Sequence, residues 1–150
     1  MRVVLQKVKQ ASVTADNYYQ SIEQGFCLFV GIGEHTTEED LHAVAKKIAN
    51  TRLFEDDAGK MNLSIHDVKG KILSISQFTL YANVKKGNRP SFTDAKTPDI
   101  AEAMYHQFND LLKSYGIDVL PGAFGESMEI DLINDGPVTI LFESIEGKIQ

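Results

Sequence analysis

Gly25-Phe26-Cys27-Leu28-Phe29-Val30-Gly31-Ile32 decides how this chain folds. From Phe26 to Ile32 the run is apolar on both alternating faces, the pattern of a central strand covered on both sides. It is the longest apolar run in the chain and far too short for a membrane-spanning helix, which needs about 20 residues. Toward the N-terminus, residues 2–14 place Val4, Val8 and Val13 among polar neighbours and read as a strand kinked near Gln10-Ala11. Asp16-Asn17 is a turn signal, and Tyr18 to Ile22 reads as the return strand.

Toward the C-terminus, Gly31-Ile32-Gly33 follows a strand and precedes a helix, which hints at a phosphate loop. Thr36 stands where a third glycine would be needed and Glu34 where an anion would sit, so a plain strand-to-helix turn is the better reading. Thr36 and Glu39 have capping-box spacing, and Leu41, Val44, Ala45 and Ile48 then form one apolar stripe. Asp56-Asp57-Ala58-Gly59 is a polar turn, and Ile72 to Leu80 is a strand candidate. Thr97 as N-cap and Pro98 at the first helical position open a second helix. Its core face is Ala101, Met104, Tyr105, Phe108, Leu111 and Leu112, and Gly116 ends it. Three short strands follow: Ile117 to Leu120, Met128 to Ile133 and Val138 to Phe142. Strand-rich ends around two helices predict a mixed α/β fold with a substantial sheet, and nothing suggests a domain boundary within residues 1–150.

The chain has 150 residues, enough for a real core. Its 15 basic and 21 acidic residues give a net charge of −6, so any RNA contact must use a local basic patch. One cysteine excludes an intramolecular disulfide. Gln6 and Lys7 break the opening apolar stretch at once, unlike a secretory leader, so a cytoplasmic setting is expected. His35, His42, His66 and His106 lack zinc-motif spacing, and Asp56-Asp57 lacks the alternating ligands of a calcium loop; no metal is expected. Cys27 inside an apolar strand reads as a small hydrophobe.

Three segments carry chemistry. Ser76-Gln77-Phe78-Thr79-Leu80 gathers two hydroxyls and an amide around one aromatic ring. On a strand, Ser76 and Phe78 would share one face and Gln77 and Thr79 the other. That pattern fits a pocket mouth or a half-exposed strand. Thr79 as a nucleophile would need a base that the sequence does not offer. Asn134-Asp135-Gly136-Pro137-Val138-Thr139 reads as a turn between two strands. Its Gly-Pro bond has ready access to the cis form, which would present fixed carbonyls to a ligand. Lys85-Lys86-Gly87-Asn88-Arg89-Pro90 is a basic run suited to phosphate contact or to a solvated loop.

Together these residues resemble the D-aminoacyl-tRNA deacylase family, nearly end to end. The match includes Gln6-Lys7-Val8 with Ala11-Ser12-Val13, Phe54-Glu55-Asp56, Lys60-Met61-Asn62-Leu63-Ser64 and Ser76 through Ala82. It continues through Lys86-Gly87-Asn88-Arg89-Pro90-Ser91-Phe92, Phe124-Gly125, Met128 and Asn134 through Thr139. The resemblance implies one α/β domain over residues 1–150, with a barrel-like or two-layer β core and two main helices packed on it. It implies a homodimer with each active site at the subunit interface, where Gly136-Pro137 of one subunit, in the cis form, enters the pocket of the other. Its carbonyls would hold the substrate's α-amino group and leave no room for an L side chain. The reaction implied is hydrolysis of the ester between a D-amino acid, or mischarged glycine, and tRNA, without a cofactor. Ser76, Gln77, Phe78 and Thr79 would form the catalytic pocket, with Met128 as neighbour. Lys85, Lys86 and Arg89 would meet phosphates at the tRNA acceptor end. Backbone N–H groups near Phe78-Thr79 would stabilise the oxyanion, assisted by the ribose 2′-hydroxyl. No membrane or DNA partner is expected. Lys7 stands where the family usually has Arg, which would loosen any brace it gives the Gly-Pro loop. Two other readings are a small-molecule esterase or amidase using Thr79 covalently, and a non-enzymatic RNA-binding module.

Overall fold

The computed structural model describes residues 1–150. Nine strands and two α-helices follow in the order β1 (Arg2–Ala15), β2 (Tyr18–Ile22), β3 (Gly25–Gly31), α1 (Glu38–Asn50), β4 (Arg52–Glu55), β5 (Met61–Ser64), β6 (Lys71–Ser76), α2 (Pro98–Ser114), β7 (Asp118–Pro121), β8 (Glu129–Ile145) and β9 (Lys148–Ile149). One sheet runs β7-β6-β3-β1-β8-β9, with β2 also paired to β1; β4 and β5 form a separate hairpin around the expected Asp56–Gly59 turn. No helix is long and apolar enough to cross a membrane.

The apolar run is the central strand it reads as. β3 pairs antiparallel with β1 and parallel with β6, and β6 pairs parallel with β7. Phe26, Leu28 and Val30 point into the larger core, under α1 and α2. Cys27 points the other way, into a smaller core with Leu73 and Ile75. Burial pushes the Cys27 thiol up to about 12, so it stays a neutral apolar group. Each large side chain sealed in this way contributes about 1.5–3 kcal/mol.

β1 serves both cores. Val3 and Leu5 face the helices, whereas Val8, Ala11 and Val13 face the smaller core. Register shifts against β8 between Gln6 and Val8 and between Val8 and Gln10 make the change of phase possible. The kink therefore lies at Lys7–Lys9, slightly before the expected Gln10-Ala11, and Val4 stays outside the core. The Tyr18 hydroxyl donates to the Pro121 carbonyl, tying β2 to β7 across the curled, half-barrel sheet.

Helix α1 starts one residue later than its sequence suggests. Thr37, not Thr36, is the N-cap, and Asp40, not Glu39, completes the capping box. Thr36 is already engaged, since its Oγ1 accepts from Gly33 N at 2.8 Å. The buried Asp40 carboxylate also accepts from Ser144 Oγ at 2.6 Å and Gly147 N at 2.8 Å, fastening α1 to the end of β8. Helix α2 opens at Thr97-Pro98 as expected, although the Thr97 side chain makes no capping bond. Gly116 takes the left-handed conformation, φ +80°, just past the helix end.

Candidate active site

The strand expected over Ile72 to Leu80 stops at Ser76. Gln77 N donates to Val30 O at 2.8 Å, and the chain then winds into a 3-10 turn over Phe78–Tyr81. Leu80 N donates to Gln77 O and Ala82 N to Thr79 O. A turn does not alternate its side chains as a strand does, so the expected division of faces fails. Ser76, Gln77 and Phe78 all line one cavity of about 650 Å³. Phe78 and Thr79 open this turn, where N–H groups have no partner within the turn itself.

Phe78 is 57 % exposed although its ring packs edge-on against Phe92, centroids 5.1 Å apart. The opposite wall is the segment after β7, with Phe124, Gly125 and Met128. Tyr105 fixes that segment from beneath: its hydroxyl donates to Ser74 O at 2.6 Å and accepts from Gly122 N at 3.2 Å. A Cβ on Gly122 would lie 2.9 Å from Met128 Sδ, so a glycine there lets Met128 occupy the wall. Burial raises the Tyr105 phenol further above its ordinary value, keeping the donor protonated.

The cavity has one lining cation, Lys96, whose Nζ donates to Thr36 O at 2.9 Å, and one lining carboxylate, Glu126. Thr79 lies beside the cavity rather than in its lining. Its Oγ1 accepts from Gln77 Nε2 at 2.5 Å. An amide cannot remove a proton from the hydroxyl, so this contact orients Thr79 without activating it.

The second segment is not the expected turn between two strands. β8 is continuous through it and stays on the same partner. Asn134 pairs with Val8 and Thr139 with Gln6, so five steps on β8 (139 − 134) match two on β1 (8 − 6). The surplus residues arch out as a wide bulge carrying Gly136-Pro137, whose peptide bond is cis. Gly136 has φ +124°, a conformation L side chains rarely adopt. Beneath the arch, Lys7 is only 7 % exposed. Its Nζ lies 4.0 Å from Asp135 Oδ2 and 5.0 Å from the Phe54 ring centroid. The Thr139 hydroxyl donates to Gln6 Oε1 at 2.5 Å on the flank.

Gly136 and Pro137 are exposed and do not line the Ser76–Phe78 cavity of their own chain. On either side of the arch, β8 exposes two large apolar side chains, Ile133 and Leu141, the latter 61 % accessible. Lys85, Lys86 and Arg89 are exposed on a loop closed by paired hydrogen bonds between Asn83 and Ser91. That loop returns directly into Phe92 at the cavity wall. Of the site residues expected from sequence, then, Ser76, Gln77, Phe78 and Met128 converge, and the others lie outside the cavity. Phe92, Phe124, Lys96 and Glu126 were not singled out for the site from sequence. Phe92 and Phe124 lie inside the matched motifs, whereas Lys96 and Glu126 carry no local signal.

The sequence model described as D-Tyr-tRNA(Tyr) deacylase matches residues 4–143. A Staphylococcus saprophyticus protein named D-aminoacyl-tRNA deacylase is 59 % identical over 99 % of both chains. A solved structure described as c-Myc DNA Unwinding Element Binding Protein superposes with a TM-score of 0.89 at 39 % identity, covering 97 % of this chain and 99 % of that one. Another, described as a probable eukaryotic D-amino acid tRNA deacylase, superposes with a TM-score of 0.82 at 20 % identity, covering 94 % and 97 %. At that identity the likeness concerns the fold, and it agrees with the mixed α/β half-barrel described above.

Proposed function

The chain belongs to the D-Tyr-tRNA(Tyr) deacylase family, and from that membership we propose how its two signature segments divide the work of deacylation. The activity is that of a D-aminoacyl-tRNA deacylase, a hydrolase acting on the ester of aminoacyl-tRNA. The Ser76–Phe78 cavity takes the 3′-terminal aminoacyl-adenosine. Lys85, Lys86 and Arg89, on the adjoining loop, contact phosphates of the acceptor end. Water adds to the ester carbonyl, the ester C–O bond breaks, and a proton passes to the departing ribose oxygen. The N–H groups of Phe78 and Thr79, at the open start of the 3-10 turn, are suited to stabilise the developing oxyanion. The ribose 2′-hydroxyl helps orient or activate the water. Thr79 has no side-chain base beside it, which favours this route over a covalent one.

The observation that carries the reading is the separation of the two segments. The Gly136-Pro137 arch is exposed, outside its own chain's cavity, and flanked by uncovered Ile133 and Leu141. A second copy of the chain would cover those side chains and bring its arch to the first copy's cavity. There the Gly136-Pro137 carbonyls would hold the substrate's α-amino group. The backbone wall would exclude an L side chain and admit a D side chain or glycine. Enantiomers differ only in placement around Cα, and backbone atoms need no rotamer ordering to read it.

The test is to incubate the protein separately with D-tyrosyl-tRNA, L-tyrosyl-tRNA and glycyl-tRNA. Release of D-tyrosine and glycine with L-tyrosyl-tRNA left intact is expected. Equal cleavage of both tyrosyl enantiomers, or of neither, would overturn the reading.

A further inference from the structure

We infer that Arg2 is a positioning residue for this reaction: with Gly31 and Gly33, it clamps the Phe78–Tyr81 turn that presents the cavity-lining segment. The inference rests on the reading that this segment meets the substrate. The Gly31-Ile32-Gly33 step is more than a strand-to-helix turn, because it is also the surface on which the 3-10 turn sits. A Cβ on Gly31 would lie 3.0 Å from Leu80 Cβ and 3.3 Å from Gln77 O. A Cβ on Gly33 would lie 2.5 Å from the Tyr81 ring. Any larger residue at either position would push the turn off the end of β3.

A seat permits close approach but does not hold its occupant down. No residue of the turn is buried, so apolar packing alone does not fix it. Arg2 supplies the hold from β1. Its Nη1 donates to Leu80 O at 3.0 Å, and its guanidinium carbon lies 4.7 Å from the Tyr81 ring centroid. Its Nε donates to Glu143 Oε2 at 2.6 Å. Arg2 and Glu143 are directly paired across β1 and β8, so the sheet itself aims the guanidinium. One planar group thus meets a carbonyl, a ring face and a carboxylate, a combination that a lysine ammonium could not reproduce.

These contacts border a separate crevice of about 480 Å³ that shares no lining residue with the substrate cavity. Arg2 therefore acts through the turn and not on the substrate. Glu143 lies on the same strand as Gly136-Pro137, so β8 supports one signature segment and carries the other.

The experiment compares wild type with Arg2→Met, which keeps length but removes the fork, and with Glu143→Gln, which keeps an acceptor for Nε. Turnover of D-tyrosyl-tRNA and backbone amide exchange are measured on each full-length protein. Because small misplacements of reacting groups cost up to about 100-fold, Arg2→Met should lower kcat roughly 10- to 100-fold while KM stays within about threefold. Amide exchange at Leu80 and Ala82, whose N–H groups close the turn, should accelerate at least about tenfold while β3 remains as protected as before. Glu143→Gln should fall between wild type and Arg2→Met in both readouts. A kcat within about twofold of wild type, or exchange that is unchanged or accelerates equally throughout the sheet, overturns the clamp. If wild type itself leaves D-tyrosyl-tRNA intact, the functional reading fails, and the exchange measurement still decides whether Arg2 holds the turn.

Discussion

Ser76–Tyr81 and Asn134–Val138 both interrupt the regular course of a strand, but they leave the sheet in opposite ways. The first ends β6, a parallel strand buried on both faces, and winds onto glycine positions at the end of β3. The second leaves only locally: it arches out between Asn134 and Thr139 and then resumes pairing with the same strand, β1. The first shapes a cavity, whereas the second is a projection without one in its own chain. A cavity wall can be completed by local packing and hydrogen bonds. A projection needs something to project into, and under the proposed reading that is the cavity of a second copy, which would also cover the exposed Ile133 and Leu141 beside it.

The sharpest way to break this contrast is Leu141→Arg. It places a charge in the apolar patch beside the arch and leaves the cavity residues untouched. If two copies assemble there, the variant should sediment as a monomer and lose roughly 1,000-fold in deacylation, since each cavity loses its opposing arch. A fully active monomer would show that the projection is not shared. Gly136→Ala attacks the arch from within. Its Cβ would fall 2.9 Å from Val138 Cγ2 at a φ that alanine tolerates poorly. Turnover of D-tyrosyl-tRNA should drop about 100-fold, with melting temperature changed by only a few degrees.

Asp40→Asn tests how the far end of β8 is anchored. Burial works to raise the Asp40 carboxyl, but hydrogen bonds from Ser144, Thr37 and Gly147 outweigh it and hold the group below the usual carboxylate range. Because its folded value is depressed, its stabilisation is complete above the unfolded value near 3.8 and disappears as pH falls through the folded value. The variant should lose about 2 kcal/mol at neutral pH and show a shallower acid-unfolding profile, measured by urea titration between pH 2 and 7. The smallest effect is expected from Thr79→Ala, which removes a hydroxyl held by an amide but keeps the backbone donor. Turnover should fall by no more than about threefold. Complete loss, with a trapped acyl-enzyme in the wild type, would favour covalent catalysis.

The features that the sequence makes legible are those fixed by neighbours along the chain. The two-faced burial of Phe26–Val30 was legible because apolar residues on both alternating faces leave little choice for a strand. β2 and the start of α2 were legible because Asp16-Asn17 and Thr97-Pro98 act locally. The α1 cap lies one residue beyond its expected place because Thr36/Glu39 and Thr37/Asp40 have identical spacing. The deciding contact, Gly33 to Thr36, is not encoded in that spacing. Asn-Asp-Gly-Pro signals a reversal equally well for a hairpin or a bulge. Continued pairing with Gln6 and Val8, far away in sequence, selects the bulge. The β4–β5 hairpin and β9 lacked a strong alternating pattern. Ser76, Gln77, Phe78 and Met128 were recoverable because they lie within matched motifs. The hold exerted by Arg2 on Leu80 spans the sheet and leaves no local trace.

The sole thiol has a practical consequence. Cys27 is sealed within the smaller core, and its thiolate is suppressed until the surrounding layers part. In the native enzyme it should therefore ignore alkylating reagents, and each covalent tag should record an excursion in which the central sheet opened. The chain carries its own stopwatch for global opening, readable by mass spectrometry without introducing a reporter.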